Sequence, residues 1–394
     1  MGQVLAGADG FGHSSDVEEF RQHSRKLIAY SQNVVAADDR GGILYTSYHA
    51  VPCRGYLPRQ ANGDFTPGAD PTQLIDGTQY RGFEVPMTGG LVDESASGGD
   101  PHRCLVPFDS TPQSIDPQRG YVMTANNDPG RIAFDGTLQR DPWYIGGPWD
   151  NGFRAGVIED ELKRTVAERS ADLTRMAAIQ GNHRSPLGTD FAQYLIEAIR
   201  YARGLAALDR LLLPWEERLD ALYRSDSEAM DEVEQRLVGW AQRGFDAASG
   251  VETFYHTPAA DDAEDAVATM IFHAWISRFL RSVWDDEGIH GGLFGNGDLT
   301  RMALVGRFLA ERDAGSSTFA SHNPETGESV FFDRLGTPQV ETSRELMLQS
   351  LAGALEFLRS APLAADSGGF GTDDMSRWLW GLRHQVRFES LLAP

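Results

Sequence analysis

Near residue 155 the chain changes its periodicity, and that change restricts the folds open to it more than any other feature. Before it, short β-rich runs alternate with long stretches of Gly, Pro, Asp and Ser; after it, apolar residues recur three and four apart. Strands first and helices second, without βαβ alternation, read as an α+β fold. The expected division is a strand-and-loop part over 1–155 and a mainly helical part over 156–394.

Local signals fill in that outline. Ser15-Asp-Val-Glu18 reads as a capping box opening a helix to about Tyr30, with Val17, Phe20 and Leu27 inward. Gln32 to Ala37 and Ile43 to His49, around the turn Asp38-Asp39-Arg40-Gly41-Gly42, form a hairpin. Residues 54–103 have no period and are expected as long ordered loops, a length that points to function. Helical patterns follow at Val157 to Ala167, Phe191 to Leu213, Glu216 to Gly244 and Asp265 to Trp284. In the last of these, Val267, Met270, Ile271, Ala274 and Arg278 trace one face. Gly288 to Gly297 and Asp313 to Pro338 read as loops. Thr342 and Glu345 make a second capping box before a stripe of Leu348, Leu351, Leu355 and Leu358, and a final helix is expected from about Asp373 to Leu391.

Charge removes whole classes of function. With 35 basic and 57 acidic residues the net charge is −22, which disfavours nucleic acid, whose phosphates need Lys and Arg. An anionic membrane surface is disfavoured on the same ground. No apolar run approaches the roughly 20 residues that span a bilayer, and Met1 to Gly12 shows no signal-peptide pattern. Cys53 and Cys104 are enough for one disulfide. With His49 and His102 they also offer four zinc-type ligands, at a spacing that fits no standard zinc motif, and free buried thiols are the third option. Asp38-Asp39 and Asp261-Asp262 are read as turn and helix-start residues rather than a carboxylate pair for catalysis.

The segment Gly120-Tyr-Val-Met-Thr-Ala-Asn-Asn-Asp-Pro-Gly130 draws attention on chemical grounds. An extended run, Tyr121 to Thr124, stops at Asn126-Asn127-Asp128-Pro129. Amides at a strand end can direct N–H donors into a cleft, which suits an oxyanion. The same residues are also default turn formers.

Several pieces in order resemble the penicillin acylase (penicillin amidase) family of N-terminal-nucleophile hydrolases, in the internal portion of its large (beta) subunit. They are Gln32-Asn33 through Asp38 with Gly41-Gly-Ile-Leu-Tyr45, then Ala50-Val-Pro-Cys-Arg54, then Leu105-Val-Pro-Phe-Asp109 with Pro112 and Asp116-Pro117. Gly120-Tyr-Val with Ala125-Asn-Asn-Asp-Pro129, Asn151-Gly-Phe-Arg-Ala155 with Ile158, Glu159 and Leu162, and Trp378-x-Trp-Gly381 with His384 complete the series. Gln180 with Ser185 is similar to a further element, although Asn182 stands where Asp is usual. Trp378, Trp380 and His384 are otherwise read as packing residues.

The resemblance implies a partial αββα sandwich joined to a large, mainly helical part, and an amidohydrolase that cleaves a linear amide to a carboxylic acid and an amine. It assigns Asn126 as the side-chain oxyanion donor and Arg154 as its support, with Ala125 beside them. Trp143, Tyr144, Trp149 and Phe153 are candidates to line the acyl pocket. In such enzymes the first residue of a subunit is the nucleophile and its own α-amine is the base. This chain begins Met1-Gly2, so the nucleophile-bearing segment and the small subunit of the same precursor are expected partners from outside it. A periplasmic or secreted location is implied as well. No cofactor is expected beyond a structural calcium, for which Asp128, Asp135 and Asp141 are candidates; no catalytic metal is expected. The alternative reading is a catalytically inert fragment or degenerate homologue acting only as a structural or binding module.

Overall fold

The computed structural model describes residues 2–29, 31–132, 141–147, 149–254, 257–287, 297–315, 322–363 and 368–385. The chain divides into two compact units, Met1–Gly181 and Asn182–Pro394. The helices α3 (Phe153–Glu168) and α4 (Leu173–Gln180), which follow the change of periodicity, are part of the first. Helices and small sheets coexist, as an α+β chain requires.

The first unit is built around a three-stranded antiparallel sheet in the order β1 (Asn33–Ala37), β2 (Ile43–Ser47), β5 (Gln113–Ile115). Register places Val35 opposite Tyr45 and Tyr45 opposite Ser114. The central strand buries Leu44, Tyr45 and Thr46, whereas Val35 and Ile115 on the flanking strands are about half exposed, at 51% and 47%. The hairpin turn is organised by Asp38, whose carboxylate accepts from the N–H groups of Arg40, Gly42 and Val17. Those backbone donors hold its carboxyl below the ordinary range. Its role is therefore conformational, as the turn reading expected.

Two helices precede the sheet. The helix α1 (Gly2–His13) has no apolar pattern, and its glycines account for it: Gly10 faces α2 (Val17–Ser24), where an added Cβ would lie 2.2 Å from the His23 ring. Phe11 stacks on Phe20 at 4.2 Å across the same pair. The cap of α2 differs from the expectation by one residue. Asp16 accepts from the Glu19 N–H, and Glu19 bonds back to Ser15, so the box runs from Asp16 and the helix stops at Ser24. Val17 and Leu27 are buried as expected.

Residues 54–103 form loops, interrupted by the short hairpin β3 (Met87–Thr88) and β4 (Leu91–Val92). A satellite cluster of Leu57, Phe65 and Ala69 with Tyr56, Ile75 and Tyr80 gives them a core. Their base is closed by a Cys53–Cys104 disulfide with Cα atoms 5.3 Å apart, beside the backbone bond from Cys53 N to Cys104 O at 2.8 Å. Closing a loop of 51 residues restricts the unfolded chain by up to about 4 kcal/mol. The disulfide overturns the zinc and free-thiol readings, because neither sulfur remains a thiolate.

The second unit is a helical body of α5 (Pro186–Leu205), α6 (Pro214–Arg224), α7 (Ser227–Gln242), α8 (Ala260–Trp284), α9 (Gly297–Ala314) and α10 (Ser343–Arg359). The 25-residue α8 is the centre, packed along α10 and α7. Val267, Met270, Ile271 and Ala274 are buried as one face predicts, but so are Phe272, Trp275, Ile276 and Phe279 on other faces. A helix apolar on most sides belongs inside a core. Leu348, Leu351, Leu355 and Leu358 are completely buried, and the Thr342–Glu345 box is formed. Asp262 accepts from the Ala259 N–H at the start of α8, the capping role expected of that acidic pair.

Three expectations are corrected here, and one helix is added. The pattern from Phe191 to Leu213 ends as helix at Leu205, and Glu216 to Gly244 is two helices broken at Ser225 and Asp226. The helix α9 covers a stretch without a recognisable stripe. Residues 373–385 form two 3₁₀ turns, Met375–Arg377 and Trp380–Leu382, rather than a helix; 386–391 lie outside the described residues. Tertiary contacts decide this last case: Gly381 donates its N–H to Ser249 O at 2.7 Å, and a Cβ there would sit 2.6 Å from Val251. Trp378 is fully buried and donates to Thr372 O.

Trp380 lies between two imidazoles, His273 at 4.8 Å and His384 at 3.5 Å between ring centroids. Burial and the neighbouring His384 push His273 down to about 4. The unfolded chain takes up this proton below about 6.5 while the folded chain does so only near 4, so this contribution is present above the unfolded value and is lost as pH falls through the window. It amounts to at most about 3 kcal/mol. In urea denaturation at pH 7 and pH 4.5, His273→Phe is expected to lose less stability on acidification than the parent; an equal loss in both contradicts the assignment.

Candidate active site

The site grows from the end of the extended segment that precedes α3. Tyr121 to Thr124 is not hydrogen-bonded into a sheet, contrary to the strand reading. It is instead fastened to α3 through Tyr121 Oη, which donates to Glu159 at 3.2 Å, while Arg119 donates locally to Tyr121 O. Asn127 and Asp128 then shape the turn: Asn127 Oδ1 accepts from the Ala125 N–H, and Asp128 Oδ1 accepts from Gly130 and Ile132. Just before them Asn126 takes a left-handed backbone, φ 59°, a conformation that Asn tolerates better than other residues bearing a Cβ.

The helix α3 brings Arg154 to this turn. Gly152 caps it at φ 84°, a positive angle suited to glycine, so Arg154 falls in the first turn. One guanidinium nitrogen, Nη2, donates to Ala125 O at 2.8 Å, to Asn126 Oδ1 at 2.9 Å and to Asp150 Oδ2 at 3.3 Å. The Asp150 N–H closes the loop by donating to Asn126 O at 2.8 Å. A guanidinium has no acceptor, so the Asn126 atom it contacts must be the carbonyl oxygen. The amide orientation is thereby fixed, and the Nδ2 group is left as a donor with no partner among the described residues.

These residues line a cavity of about 600 Å³. Asn126, Arg154, Ala125 and Trp149 all contribute to its wall, together with residues the sequence reading did not single out, among them Asn33, His49, Asn127 and Asp150. Asn33 accepts from Tyr45 Oη at 2.8 Å, which fixes its side chain too. Burial and the Arg54 cation push the His49 imidazole below its ordinary value, so it is neutral at pH 7. Of the aromatic candidates only Trp149 reaches the cavity. Tyr144 is held against Arg54, whose guanidinium lies 5.0 Å from the ring and donates to its carbonyl. Phe153 begins α3, and Trp143 is half-buried in the preceding bend.

Asp150 is the contact that sequence reading missed. Its signal was present, since an acidic residue four positions before an arginine is a usual ion-pair spacing. Of the calcium candidates, Asp128 holds its own turn, Asp135 lies outside the described residues, and Asp141 lies beside Arg59, which donates to its carbonyl. Among the described residues no group of three or more His, Cys, Asp or Glu side chains is arranged to hold a metal.

The left-handed backbone at Asn126 gives a direct structural expectation. Asn126→Gly is expected to fold with stability close to the parent, whereas Asn126→Val forces a β-branched residue into that region at a cost of about 1–2 kcal/mol. Denaturant midpoints measure the difference; equal midpoints for the two variants contradict the geometry.

Comparison with curated proteins finds no significant match. A profile of the penicillin amidase family, in contrast, matches residues 4–394. The ordered motifs and the Asn126–Arg154 turn therefore sit in a chain that belongs to the penicillin amidase family.

Proposed function

We propose that this chain carries the oxyanion side of a penicillin-acylase-like active site that hydrolyses a linear amide to a carboxylic acid and an amine. The observation that carries this reading is the locked Asn126 amide, whose Nδ2 group is kept free to donate at the wall of a cavity. A preorganised donor aimed at a developing negative charge is worth far more than one that must first reorient. In the reaction, a nucleophilic hydroxyl adds to the amide carbon and its proton passes to the free α-amine beside it. The carbonyl oxygen becomes an oxyanion held by Asn126. Collapse expels the amine, which leaves protonated, and water then releases the acid from the acyl-enzyme.

The nucleophile in this reading is the N-terminal Ser of a processed segment of the same precursor, outside residues 1–394, acting together with the small subunit. Half-exposed apolar side chains on both flanking strands, Val35 and Ile115, support a sheet that more strands would complete into the sandwich, since bare strand edges invite pairing. The acyl group meets Trp149 together with Val51, Pro112 and Ile145 on a wall that also carries polar side chains. Location in the periplasm or outside the cell is supported by the Cys53–Cys104 disulfide, a bond that persists in oxidising compartments. The net charge of −22 disfavours nucleic acid and anionic membrane surfaces as partners in this reading.

The test is to express residues 1–394 together with the reading frame that flanks them and to assay p-nitroanilide and penicillin-type amides. Asn126→Ala is expected to lower kcat by about 100-fold or more, and Asn126→Asp, which keeps the shape but replaces the donor by an acceptor, by at least as much. Turnover unchanged by either substitution refutes the oxyanion assignment.

A further inference from the structure

Most arginines described in the second unit are paired with a carboxylate. Arg200 sits on Glu234 at 2.6 Å, Arg210 on Glu216 at 2.6 Å, Arg218 on Glu345 at 2.7 Å and Arg344 on Glu197 at 2.7 Å. With a net charge of −22, carboxylates are abundant enough to pair every cation. Arg278, Arg281 and Arg334 break the pattern: all three line one cavity of about 570 Å³, and among the described residues none has a carboxylate oxygen within 4.0 Å.

The cleft lies where α8 and α10 run together, next to the turn at 334–337. Two of its cations are tethered and not fully used. Arg278 donates Nη1 to Ala274 O at 2.9 Å and lies 4.6 Å over the Phe357 ring, while Arg281 donates Nε to Ser277 O at 3.2 Å. Each therefore keeps further N–H donors. Asp285 and Asp286 also line the cleft, and the Asp286 carboxylate accepts from the Leu335 N–H at 2.8 Å and so fastens the turn that carries Arg334. Burial, and then the charge of Arg281, push the Arg278 guanidinium below its ordinary range. Small hydroxyl residues, Ser282 and Ser350, line the same cleft and meet at 3.3 Å.

We infer that this cleft binds a phosphate group, either as the free ion or as a phosphomonoester. Guanidinium forks match phosphate oxygens two at a time, and the three cations outnumber the two carboxylates, Asp285 and Asp286, that share the lining. A dianion also removes the mutual repulsion of Arg278 and Arg281. The site belongs to the second unit and uses none of the residues assigned to amide hydrolysis.

The test titrates inorganic phosphate, glycerol 3-phosphate and acetate into the 394-residue chain at constant ionic strength, followed by calorimetry. Saturable one-to-one binding of phosphate or glycerol 3-phosphate is expected, at least about tenfold tighter than acetate. Arg281→Gln with Arg334→Gln, both at exposed positions, is expected to weaken it about 100-fold, a factor of about ten for each lost charge-assisted contact. The Tm in phosphate-free buffer should stay unchanged. Preference for glycerol 3-phosphate over phosphate supports an organic phosphomonoester as occupant, and the reverse order supports the free ion. Absence of saturable binding, acetate binding as tightly as phosphate, or undiminished phosphate binding by the double variant each overturns the inference.

Discussion

One guanidinium nitrogen holds the candidate active site together. Arg154 Nη2 meets the carbonyl of Ala125, the side-chain oxygen of Asn126 and the carboxylate of Asp150. Because arginine only donates, this contact dictates which way the Asn126 amide faces, and hence which atom is offered to the cavity. Everything nearby serves to place the two partners. The Asn127 and Asp128 turn bonds set the left-handed backbone of Asn126, and Gly152 caps α3 so that Arg154 arrives two residues later.

The two units achieve rigidity by different means. The helical unit relies on a continuous apolar core threaded by α8, with indole N–H groups of Trp240 and Trp275 satisfied by backbone carbonyls. The first unit has too little regular structure for that. Its loops are secured by a small aromatic cluster, a disulfide and carboxylates that accept from several backbone donors at once, Asp38 and Asp128 being the clearest. Such a scaffold suits a preorganised donor, because each bond fixes a backbone position rather than adding bulk to a core.

Much of this was legible in the sequence, where local chemistry decides the outcome. The Asp38–Gly42 turn, the Thr342–Glu345 box and the leucine stripe of α10 all follow from spacing alone. Asn126 and Arg154 were visible as a strand-end amide and an arginine in an ordered motif series, and the structure brings them together. What failed did so through long-range contacts. The approach of α1 to α2 through Gly10 has no periodic signature, and the docking of Gly381 on Ser249 prevents a helix that the pattern around Trp378 favoured. The aromatic run from Trp143 to Phe153 looked like one pocket wall, yet Arg54 holds Tyr144 elsewhere and only Trp149 meets the cavity. The arginine cleft was invisible for the same reason, since its members are up to 56 positions apart, from Arg278 to Arg334.

The central claim is that Arg154 and Asn126 act as one unit, and a double-mutant cycle on turnover tests it most directly. With the chain expressed in its flanking reading frame, Asn126→Ala, Arg154→Met and the double variant are compared by kcat. If Arg154 works by orienting Asn126, the double variant is expected to be little slower than Asn126→Ala alone, giving a coupling of about 2 kcal/mol. Strictly additive losses would contradict the account, because they would mean that each side chain contributes without the other.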